Sequence, residues 1–227
     1  MKLSIIMPVY NEEGTFEKII KKVKAVKLDL EKEIIVVDDG STDNSRKLIE
    51  KQNGIKKLFH KINSGKGAAI STGLKYATGD IIIIQDADLE YNPEEYPKII
   101  GPIIGGKAEV VYGERFSLNQ RERWAIPSHF FGNKLLSFLT GVIFLRKVKD
   151  METCYKAFRK EIIKGIKIKS RRFDVEPEIT AKILKRGIRI HEVPIKFHPR
   201  TFEQGKKINW RDGIVAIWTL IKYRFVE

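Results

Sequence analysis

Short apolar runs alternate with amphipathic stretches through the first hundred residues of the chain. The apolar runs predict strands at residues 3–9, 33–37, 55–60, 80–84 and 109–112. The stretches between them predict helices at residues 13–27, 43–51, 66–77 and 94–104, the last limited by Pro97 and Pro102. Strands without polar alternation are buried on both faces, and strands that alternate with helices form parallel sheets. The pattern therefore predicts an α/β fold with a mostly parallel sheet flanked by helices.

The pattern changes after Gly113, where a charged stretch leads to two segments with helical periodicity. In residues 130–144, one helical face carries Phe131, Leu135, Phe138, Leu139 and Val142. In residues 212–225, one stripe carries Ile214, Ile217, Trp218, Ile221 and Phe225. Basic residues border both segments: Arg121, Arg123, Arg146, Lys147, Lys149, Lys222 and Arg224. Such helices are typical of a membrane interface, but a helix packed on the protein core gives the same pattern.

Length and composition are those of a single globular domain. Of the 227 residues, 42% are hydrophobic, which is enough for an ordinary core. The single cysteine, Cys154, excludes an internal disulfide and favours a reducing compartment. Met1 leads directly into the first predicted strand, and no apolar run approaches the roughly 18–20 residues of a membrane-spanning helix. We expect one cytoplasmic domain over residues 1–227, associated peripherally with the cytoplasmic face of the membrane.

The net charge of +14 indicates either an anionic partner or a surface on which many of the charges form ion pairs. Nucleic acid, anionic lipid and phosphorylated small molecules are all compatible with it. Ion-pair networks like those of heat-adapted proteins would also explain the richness in Lys, Glu and Ile. No nucleic-acid-binding motif is present and the basic residues are dispersed, so we expect no nucleic acid partner.

Two carboxylates, Asp86 and Asp88, flank Ala87 just after the apolar run at 81–84. Open α/β sheets bind ligands at the carboxyl ends of their strands. Carboxylates one residue apart can share a hard cation such as Mg²⁺ or Mn²⁺, usually together with phosphate oxygens. A polar turn after a strand is the alternative explanation for the same residues.

Polar residues also follow the first two predicted strands, at residues 8–13 and 36–43. The carboxyl ends of neighbouring parallel strands share one rim of a sheet, so these residues are expected near Asp86 and Asp88. Asp39 is a candidate to accept hydrogen bonds from a nucleotide base. Asp43 is better explained as the cap of the following helix.

Residues 63–67 read Asn-Ser-Gly-Lys-Gly, which resembles a phosphate-binding P-loop. That motif requires Gly at position 60 and Ser or Thr at position 67, where this chain has His60 and Gly67. No GxGxxG motif follows the first strand either, which argues against a dinucleotide-binding fold. Gly65 and Gly67 still permit close backbone approach at a helix N-terminus, where amide groups favour an anion.

Four ordered motifs resemble the family 2 inverting glycosyltransferases of the GT-A fold: Pro-Val-Tyr-Asn-Glu at 8–12, Val-Asp-Asp-Gly-Ser-Thr-Asp at 37–43, Asn-x-Gly-Lys-Gly at 63–67 and Asp-Ala-Asp-Leu at 86–89. Within that family, the chain is similar to dolichyl-phosphate mannose synthases and polyprenyl-phosphate glucosyltransferases over nearly its whole length. The resemblance implies inverting transfer of a sugar from a UDP- or GDP-linked donor to dolichyl or polyprenyl phosphate. It also implies Mg²⁺ or Mn²⁺ as the cofactor.

The resemblance implies roles for individual residues. The implied nucleotide-sugar contacts are Pro8, Tyr10, Glu12, Val37, Asp39, Lys66, Asp86, Ala87, Arg200 and Lys206. The implied metal ligands are Asp86, Asp88 and Glu90, with Asp88 the more direct. Arg115 matches an arginine that contacts the acceptor phosphate, and Asp150 lies in a motif beside the acceptor site; with Asp88 they are the expected catalytic residues. Residues 1–113 would bind the donor, and residues 114–227 the acceptor and the membrane.

Some features depart from the family pattern or leave a choice open. Mannose synthases usually have Asp-Pro-x-Ser-Gly-Phe at the positions of residues 150–155. His129 falls near a sequence position where some relatives have a second phosphate-binding arginine. The stretch 198–212 favours UDP-glucose, but neither UDP nor GDP is specified, and nothing defines the oligomeric state. The alternative acceptor is a hydroxyl group of a saccharide or protein, a reaction that needs a general base and would make Asp150 essential.

Overall fold

A computed structural model describes residues 1–116, 127–200 and 210–226, with the backbone alone for residues 127–129, 210 and 211. In these residues, one sheet has the strand order β3-β2-β1-β4-β6-β5-β7. The strands are β1 Lys2–Val9, β2 Glu31–Asp38, β3 Lys56–Phe59, β4 Ile81–Ile84, β5 Val110–Glu114, β6 Lys156–Arg159 and β7 Ile190–Pro194. Neighbouring strands are parallel except that β6 is antiparallel to both β4 and β5. The predicted α/β fold with a mostly parallel sheet is confirmed.

Helices cover both faces of the sheet. They are α1 Phe16–Ala25, α2 Ser45–Glu50, α3 Lys66–Tyr76, α4 Tyr96–Ile104, α5 Pro127–Phe144, α6 Lys160–Lys164, α7 Val175–Lys185 and α8 Trp210–Phe225. Residues of α1, α2 and α4 pack on one face, and residues of α3, α5, α7 and α8 pack on the other. Strand β4 serves both cores, because alternate side chains of a strand point to opposite faces. Ile82 and Ile84 lie in one core, and Ile81 and Ile83 in the other.

The predicted elements of residues 1–112 are all present, with ends shifted by a few residues. Four elements that the sequence pattern did not predict lie between residues 156 and 194: β6, α6, α7 and β7. Strand β6 separates β4 from β5, and β7 forms the far edge of the sheet. These unpredicted elements therefore complete the half of the sheet beyond β4.

Helices α5 and α8 lie side by side, and Arg224 Nε of α8 donates to the Ile143 carbonyl of α5 at 3.1 Å. Their inner faces join the core through Leu136, Phe144, Ala216, Leu220 and Tyr223. The predicted apolar stripes point outward and are exposed: Phe131, Leu135, Phe138, Val142, Ile214, Trp218, Ile221 and Phe225. Ile217 is the exception on α8, because it packs partly against the core. Among the helices that the structure describes, none has the length and hydropathy needed to cross a membrane.

Candidate active site

The carboxyl ends of β1, β2 and β4 meet at one rim, because β1 pairs in parallel with both neighbours. A cavity of about 480 Å³ opens at this rim. Ten residues proposed from the sequence line it: Pro8, Tyr10, Glu12, Asp39, Lys66, Asp86, Ala87, Asp88, Glu90 and Arg200. The other lining residues are Val9, Asn63, Gly65, Cys154, Arg172 and Phe173. The structure thus brings together side chains from three strand ends and from the distant segment that carries Arg200.

Three proposed residues that the structure describes do not line this cavity. The Val37 side chain is fully buried in one of the two cores. Arg115 and Asp150 are buried together in a separate ion pair. Lys206 lies outside the described residues, and only the backbone of His129 is described.

The Asp39 carboxylate organises the loop between β3 and α3. Its Oδ1 accepts from the Ser64 amide at 3.0 Å and lies 2.6 Å from His60 Nδ1, and its Oδ2 accepts from the Gly65 amide at 2.7 Å. Asp39 is almost fully buried. Most of its hydrogen-bonding capacity therefore fixes the loop that forms one wall of the cavity.

Gly65 and Gly67 allow this loop to pack on the segment 170–172. A Cβ atom at Gly65 would lie 2.2 Å from the Arg171 carbonyl oxygen, and one at Gly67 would lie 2.2 Å from that of Ser170. The Gly67 amide donates to the Arg171 carbonyl at 2.7 Å. The close approach that these glycines permit is therefore to the protein's own backbone, and the Gly67 amide already has a carbonyl partner.

Lys66, the first residue of α3, joins two carboxylates at the cavity wall. Its Nζ lies 2.8 Å from Asp86 Oδ1 and 2.9 Å from Glu176 Oε1. Burial acts to raise the pKa of Asp86, but the charge and hydrogen bond of Lys66 outweigh it and the pKa is lowered. Asp86 is thus held as a carboxylate by a side-chain cation.

Arg200 joins the other carboxylates of the cavity. Its Nη2 donates to Asp88 Oδ2 at 2.7 Å, and its Nη1 lies 3.2 Å from both Glu12 carboxylate oxygens. The Arg200 backbone amide donates to Glu90 Oε1 at 2.8 Å. The resemblance implied that Arg200 contacts the nucleotide sugar, and in the structure it contacts Glu12 and two of the proposed metal ligands, Asp88 and Glu90.

Asp88 is the most electrostatically crowded of these carboxylates. Burial, followed by the charges of Asp86 and Glu90, raises the pKa of Asp88 to about 8. The intervening Leu89 has a φ of +66°, a conformation that is costly for a residue with a branched side chain. This strained turn brings Asp88 and Glu90 to the same cavity.

Arg115 and Asp150 form a two-pronged buried ion pair. Arg115 Nε donates to Asp150 Oδ2 at 2.8 Å, and Nη2 donates to Oδ1 at 2.7 Å. The Arg115 amide also donates to Oδ2 at 3.0 Å, and Asn133 Nδ2 donates to Oδ1 at 2.8 Å. A carboxylate has about four acceptor positions, and all four are taken on a side chain with no exposed surface. Asp150 therefore fixes the position of Arg115.

A second group of buried charges lies between the cavity and this ion pair. Glu176 Oε2 and Glu152 Oε1 are buried and accept no hydrogen bond from the described residues. Burial, followed by the charge of Glu176, raises the pKa of Glu152 to about 7. Burial lowers the pKa of Lys156, although neighbouring carboxylates oppose it. The oxygen atoms Glu176 Oε2 and Glu152 Oε1 therefore keep the capacity to accept a hydrogen bond from a polar molecule.

Sequence reasoning missed Cys154, Arg172, Phe173 and Glu176 as neighbours of the cavity. Cys154 lies inside a motif that was assigned to the acceptor side. Glu176 is buried in the first turn of α7, although acidic residues are rarely buried without a partner. Its signal in the sequence is a pair of acidic residues, Glu176 and Glu178, flanking Pro177.

Comparison with known proteins agrees with this geometry. Residues 4–166 match the glycosyl transferase family 2. A dolichol-phosphate mannosyltransferase of Pyrococcus furiosus is 30% identical over an alignment of 216 positions, which covers 91% of this chain and 59% of that protein. A UDP-N-acetylglucosamine–dolichyl-phosphate N-acetylglucosaminyltransferase of Methanococcus voltae is 30% identical over an alignment of 239 positions, gaps included, which covers 96% of this chain and 94% of that protein. The chain thus spans less than two thirds of the first relative and nearly all of the second.

The fold has solved counterparts. Glucosyl-3-phosphoglycerate synthase from Mycobacterium tuberculosis, crystallised with Mn²⁺, UDP and glucosyl-3-phosphoglycerate, superimposes with a TM-score of 0.72 at 21% identity. The match covers 100% of this chain and 81% of that one. At this identity the likeness concerns the fold, which is the GT-A fold. With a family match over 163 of 227 residues (4–166) and the acidic rim where the sequence predicted it, the chain belongs to glycosyl transferase family 2.

Proposed function

We propose that this glycosyltransferase moves a sugar from a nucleoside diphosphate to the phosphate group of a polyprenyl or dolichyl phosphate. The donor binds in the cavity at the ends of β1, β2 and β4. The acceptor phosphate binds on the side of Arg115. Residues 1–113 serve mainly the donor, and residues 114–227 mainly the acceptor and the membrane. The dolichyl-phosphate enzymes among the relatives support this assignment.

A divalent ion fits the carboxylates at the cavity. Asp86, Asp88 and Glu90 offer oxygen atoms, the ligands that Mg²⁺ and Mn²⁺ prefer. The raised pKa of Asp88 reflects negative charge that a cation would relieve. Among the described residues, no three acidic, histidine or cysteine side chains are gathered as ready ligands. Lys66 lies on Asp86, and Arg200 lies on Asp88. When bound, the ion supplies positive charge to the leaving diphosphate.

The cavity provides separate surroundings for each part of the donor. Pro8, Tyr10 and the loop fixed by Asp39 surround the nucleoside. Lys66 and Arg200 lie beside the diphosphate and add positive charge there. Cys154 and Phe173 line the remaining space for the sugar. The Lys66 charge lies in a partly buried site, where it stabilises the leaving group more than it would in water.

In the transfer step, an acceptor phosphate oxygen attacks the anomeric carbon from the face opposite the diphosphate. A bond forms between that oxygen and the carbon, the bond to the diphosphate oxygen breaks, and the configuration inverts. Arg115 holds the acceptor phosphate through the positive charge of its guanidinium group. A phosphate monoester has a second pKa of about 6 and is already ionised at neutral pH, so no base is needed.

The observation that supports a phosphate acceptor is that the Asp150 carboxylate already accepts four hydrogen bonds. A hydroxyl acceptor would have to transfer its proton to a nearby base, and Asp150 was the candidate for that role. Its four acceptor positions are filled by Arg115 and Asn133. Asp150 is therefore a positioning residue for Arg115, and the hydroxyl route through Asp150 loses its support.

Glu152 keeps a second candidate function open, the transfer to a hydroxyl acceptor. Its Oε1 is buried without a hydrogen bond from the described residues, and burial raises its pKa to about 7. A group with a pKa near the working pH is suited to general base catalysis. The two candidate functions therefore differ in whether the Glu152 carboxylate is needed.

A product-partition assay tests the proposal. The protein is incubated with Mn²⁺, radiolabelled UDP-glucose or GDP-mannose, and either polyprenyl phosphate or a soluble saccharide. We expect label to pass into organic solvent only with polyprenyl phosphate, with UDP-glucose the better donor. Glu152→Gln is expected to retain transfer to the lipid within about threefold, whereas loss of a general base costs about 100-fold or more. Water-soluble product that depends on Glu152 would instead favour the hydroxyl acceptor.

The outer faces of α5 and α8 fit an anionic membrane surface. They form one exposed apolar area, including Phe131, Phe138, Trp218 and Phe225, each at least 65% exposed. A contiguous apolar patch of this kind marks an interaction site. Exposed basic residues border it: Lys134, Arg146, Lys147, Lys149, Lys222 and Arg224. Apolar insertion combined with basic borders favours peripheral contact with anionic lipid.

Phe138→Ser combined with Trp218→Ser is expected to weaken vesicle binding about tenfold or more, because each large side chain loses roughly 1.5–3 kcal/mol of apolar burial. The measurement is co-sedimentation with vesicles that contain phosphatidylglycerol. Ile104→Ser is the control, since Ile104 is 44% exposed on α4, which packs on the opposite face of the sheet. Equal binding by the double variant and the wild type would contradict the membrane assignment.

A further inference from the structure

The guanidinium group of Arg200 lies among the carboxylates of the cavity. It contacts Asp88 at 2.7 Å and Glu12 at 3.2 Å, and its Nε lies 3.9 Å from Glu90 Oε1. This Nε is buried and donates no hydrogen bond to the described residues. A cation thus already occupies the space that Asp88 and Glu90 would offer to a divalent ion.

The backbone around Arg200 is tied to the same acidic turn. The His198 amide donates to the Glu90 carbonyl at 3.0 Å, and Phe197 forms an antiparallel bridge with Tyr91. The Arg200 amide donates to the Glu90 carboxylate. These contacts hold the side chain of Arg200 close to Asp88, so its position follows from the packing of residues 197–200 on residues 90–91.

Lys66 holds Asp86 in a different way. Its Nζ is shared between Asp86 and Glu176 and is anchored at the start of α3.

A divalent ion at Asp88 and Glu90 would lie beside Arg200, and two cations at such short range repel each other. A nucleoside diphosphate changes this balance, because its phosphate oxygens give the guanidinium a new anionic partner.

We propose that Arg200 fills the divalent-ion site of the nucleotide-free protein and leaves it when a nucleoside diphosphate binds, so that the ion binds tightly only together with the nucleotide. This inference rests on the proposed function, because it takes the nucleotide diphosphate as the ligand. Arg200 then serves both states of the cavity. It neutralises the carboxylates before the donor arrives, and it binds the diphosphate afterwards.

Mn²⁺ binding measured by electron paramagnetic resonance tests this inference without any turnover. We expect Arg200→Gln to bind Mn²⁺ in the absence of nucleotide about tenfold or more tightly than the wild type, since the competing cation is removed. Saturating UDP should tighten Mn²⁺ binding by the wild type about tenfold or more and by Arg200→Gln much less. Arg200→Lys keeps the charge and should resemble the wild type more than Arg200→Gln does.

Arg46→Gln is the matched control, because it removes the same charge from an exposed pair with Glu50 on α2. Its Mn²⁺ affinity should equal that of the wild type, and a thermal melt verifies that each variant is folded. If the wild type and Arg200→Gln bind Mn²⁺ with equal affinity without nucleotide, and UDP still tightens Mn²⁺ binding, this inference is overturned and the proposed function is not. Absence of Mn²⁺ and UDP binding in every protein would instead overturn the proposed function.

Discussion

Asp88→Asn is expected to lower the rate of sugar transfer about 1000-fold, the upper range for removing one electrostatic contact to a transition state. The substitution removes the charge that would hold a divalent ion beside the leaving diphosphate. It keeps the size of the side chain, so the cavity and the turn at Leu89 are preserved. The measurement is the turnover rate with saturating donor, polyprenyl phosphate and Mn²⁺.

The same substitution is expected to leave stability unchanged or to raise it. Burial and the neighbouring charges raise the pKa of Asp88 from 3.8 to about 8, so the folded protein holds this proton more tightly than the unfolded chain does. The contribution of Asp88 to the free energy of unfolding of the metal-free protein therefore falls as pH rises through this interval. Asp88→Asn should remove that part of the pH dependence.

Asp80→Asn is the control for both measurements, because Asp80 is exposed and precedes the opposite end of the same strand, β4. It should keep transfer within about twofold of the wild-type rate, as exposed substitutions away from a site usually do. Near-normal transfer by Asp88→Asn would contradict the role of Asp88. A large loss of stability in that variant would show that the fold needs the charge.

Neutralising Arg115 and Asp150 together is expected to lower transfer to lipid phosphate about 100-fold or more, while donor hydrolysis changes by less than about threefold. Arg115→Ala alone would leave the Asp150 carboxylate buried without its cation, which costs about 3–5 kcal/mol of stability. The double variant Arg115→Gln with Asp150→Asn avoids that penalty. Product analysis of the lipid and aqueous phases measures both activities in one reaction.

Lys98→Gln with Glu95→Gln is the matched control, since it neutralises another ion pair with one buried partner, on the α4 side of the fold. It should retain both activities. Equal loss of transfer and of hydrolysis in the Arg115 and Asp150 double variant would argue that the pair supports the whole fold. The Arg115–Asp150 pair would then have no specific role in binding the acceptor.

The first 113 residues of the fold were predictable because their signals in the sequence are local. Strand β4 is four consecutive isoleucines, and α3 begins right after a glycine whose φ of +95° ends the preceding loop. Strand β6 was missed because it begins with the buried Lys156 and pairs antiparallel with β4 and β5, far away in sequence. Helix α7 was missed because it buries Glu176, Glu178 and Thr180, which interrupts its apolar pattern.

The site was predictable in its composition and less so in its contacts. Strand ends and motif resemblance placed Asp86, Asp88 and Tyr10 together, and the cavity contains all three. Lys66 and Glu176 form an ion pair although they are 110 positions apart in the sequence, and no local sequence pattern predicts such a contact. Residue spacing predicts neither the four hydrogen bonds to the Asp150 carboxylate nor the contact of Arg200 with Asp88, because both depend on side-chain packing.

Crystals grown with Mn²⁺ and UDP, with data collected for anomalous scattering, would show directly where the ion and the nucleotide bind. We expect an anomalous peak within bonding distance of the Asp88 carboxylate and of the UDP diphosphate, with uracil between Pro8 and the Asp39 loop. Bound UDP with no Mn²⁺ peak beside Asp88, or a nucleotide bound away from the ends of β1, β2 and β4, would contradict this expectation.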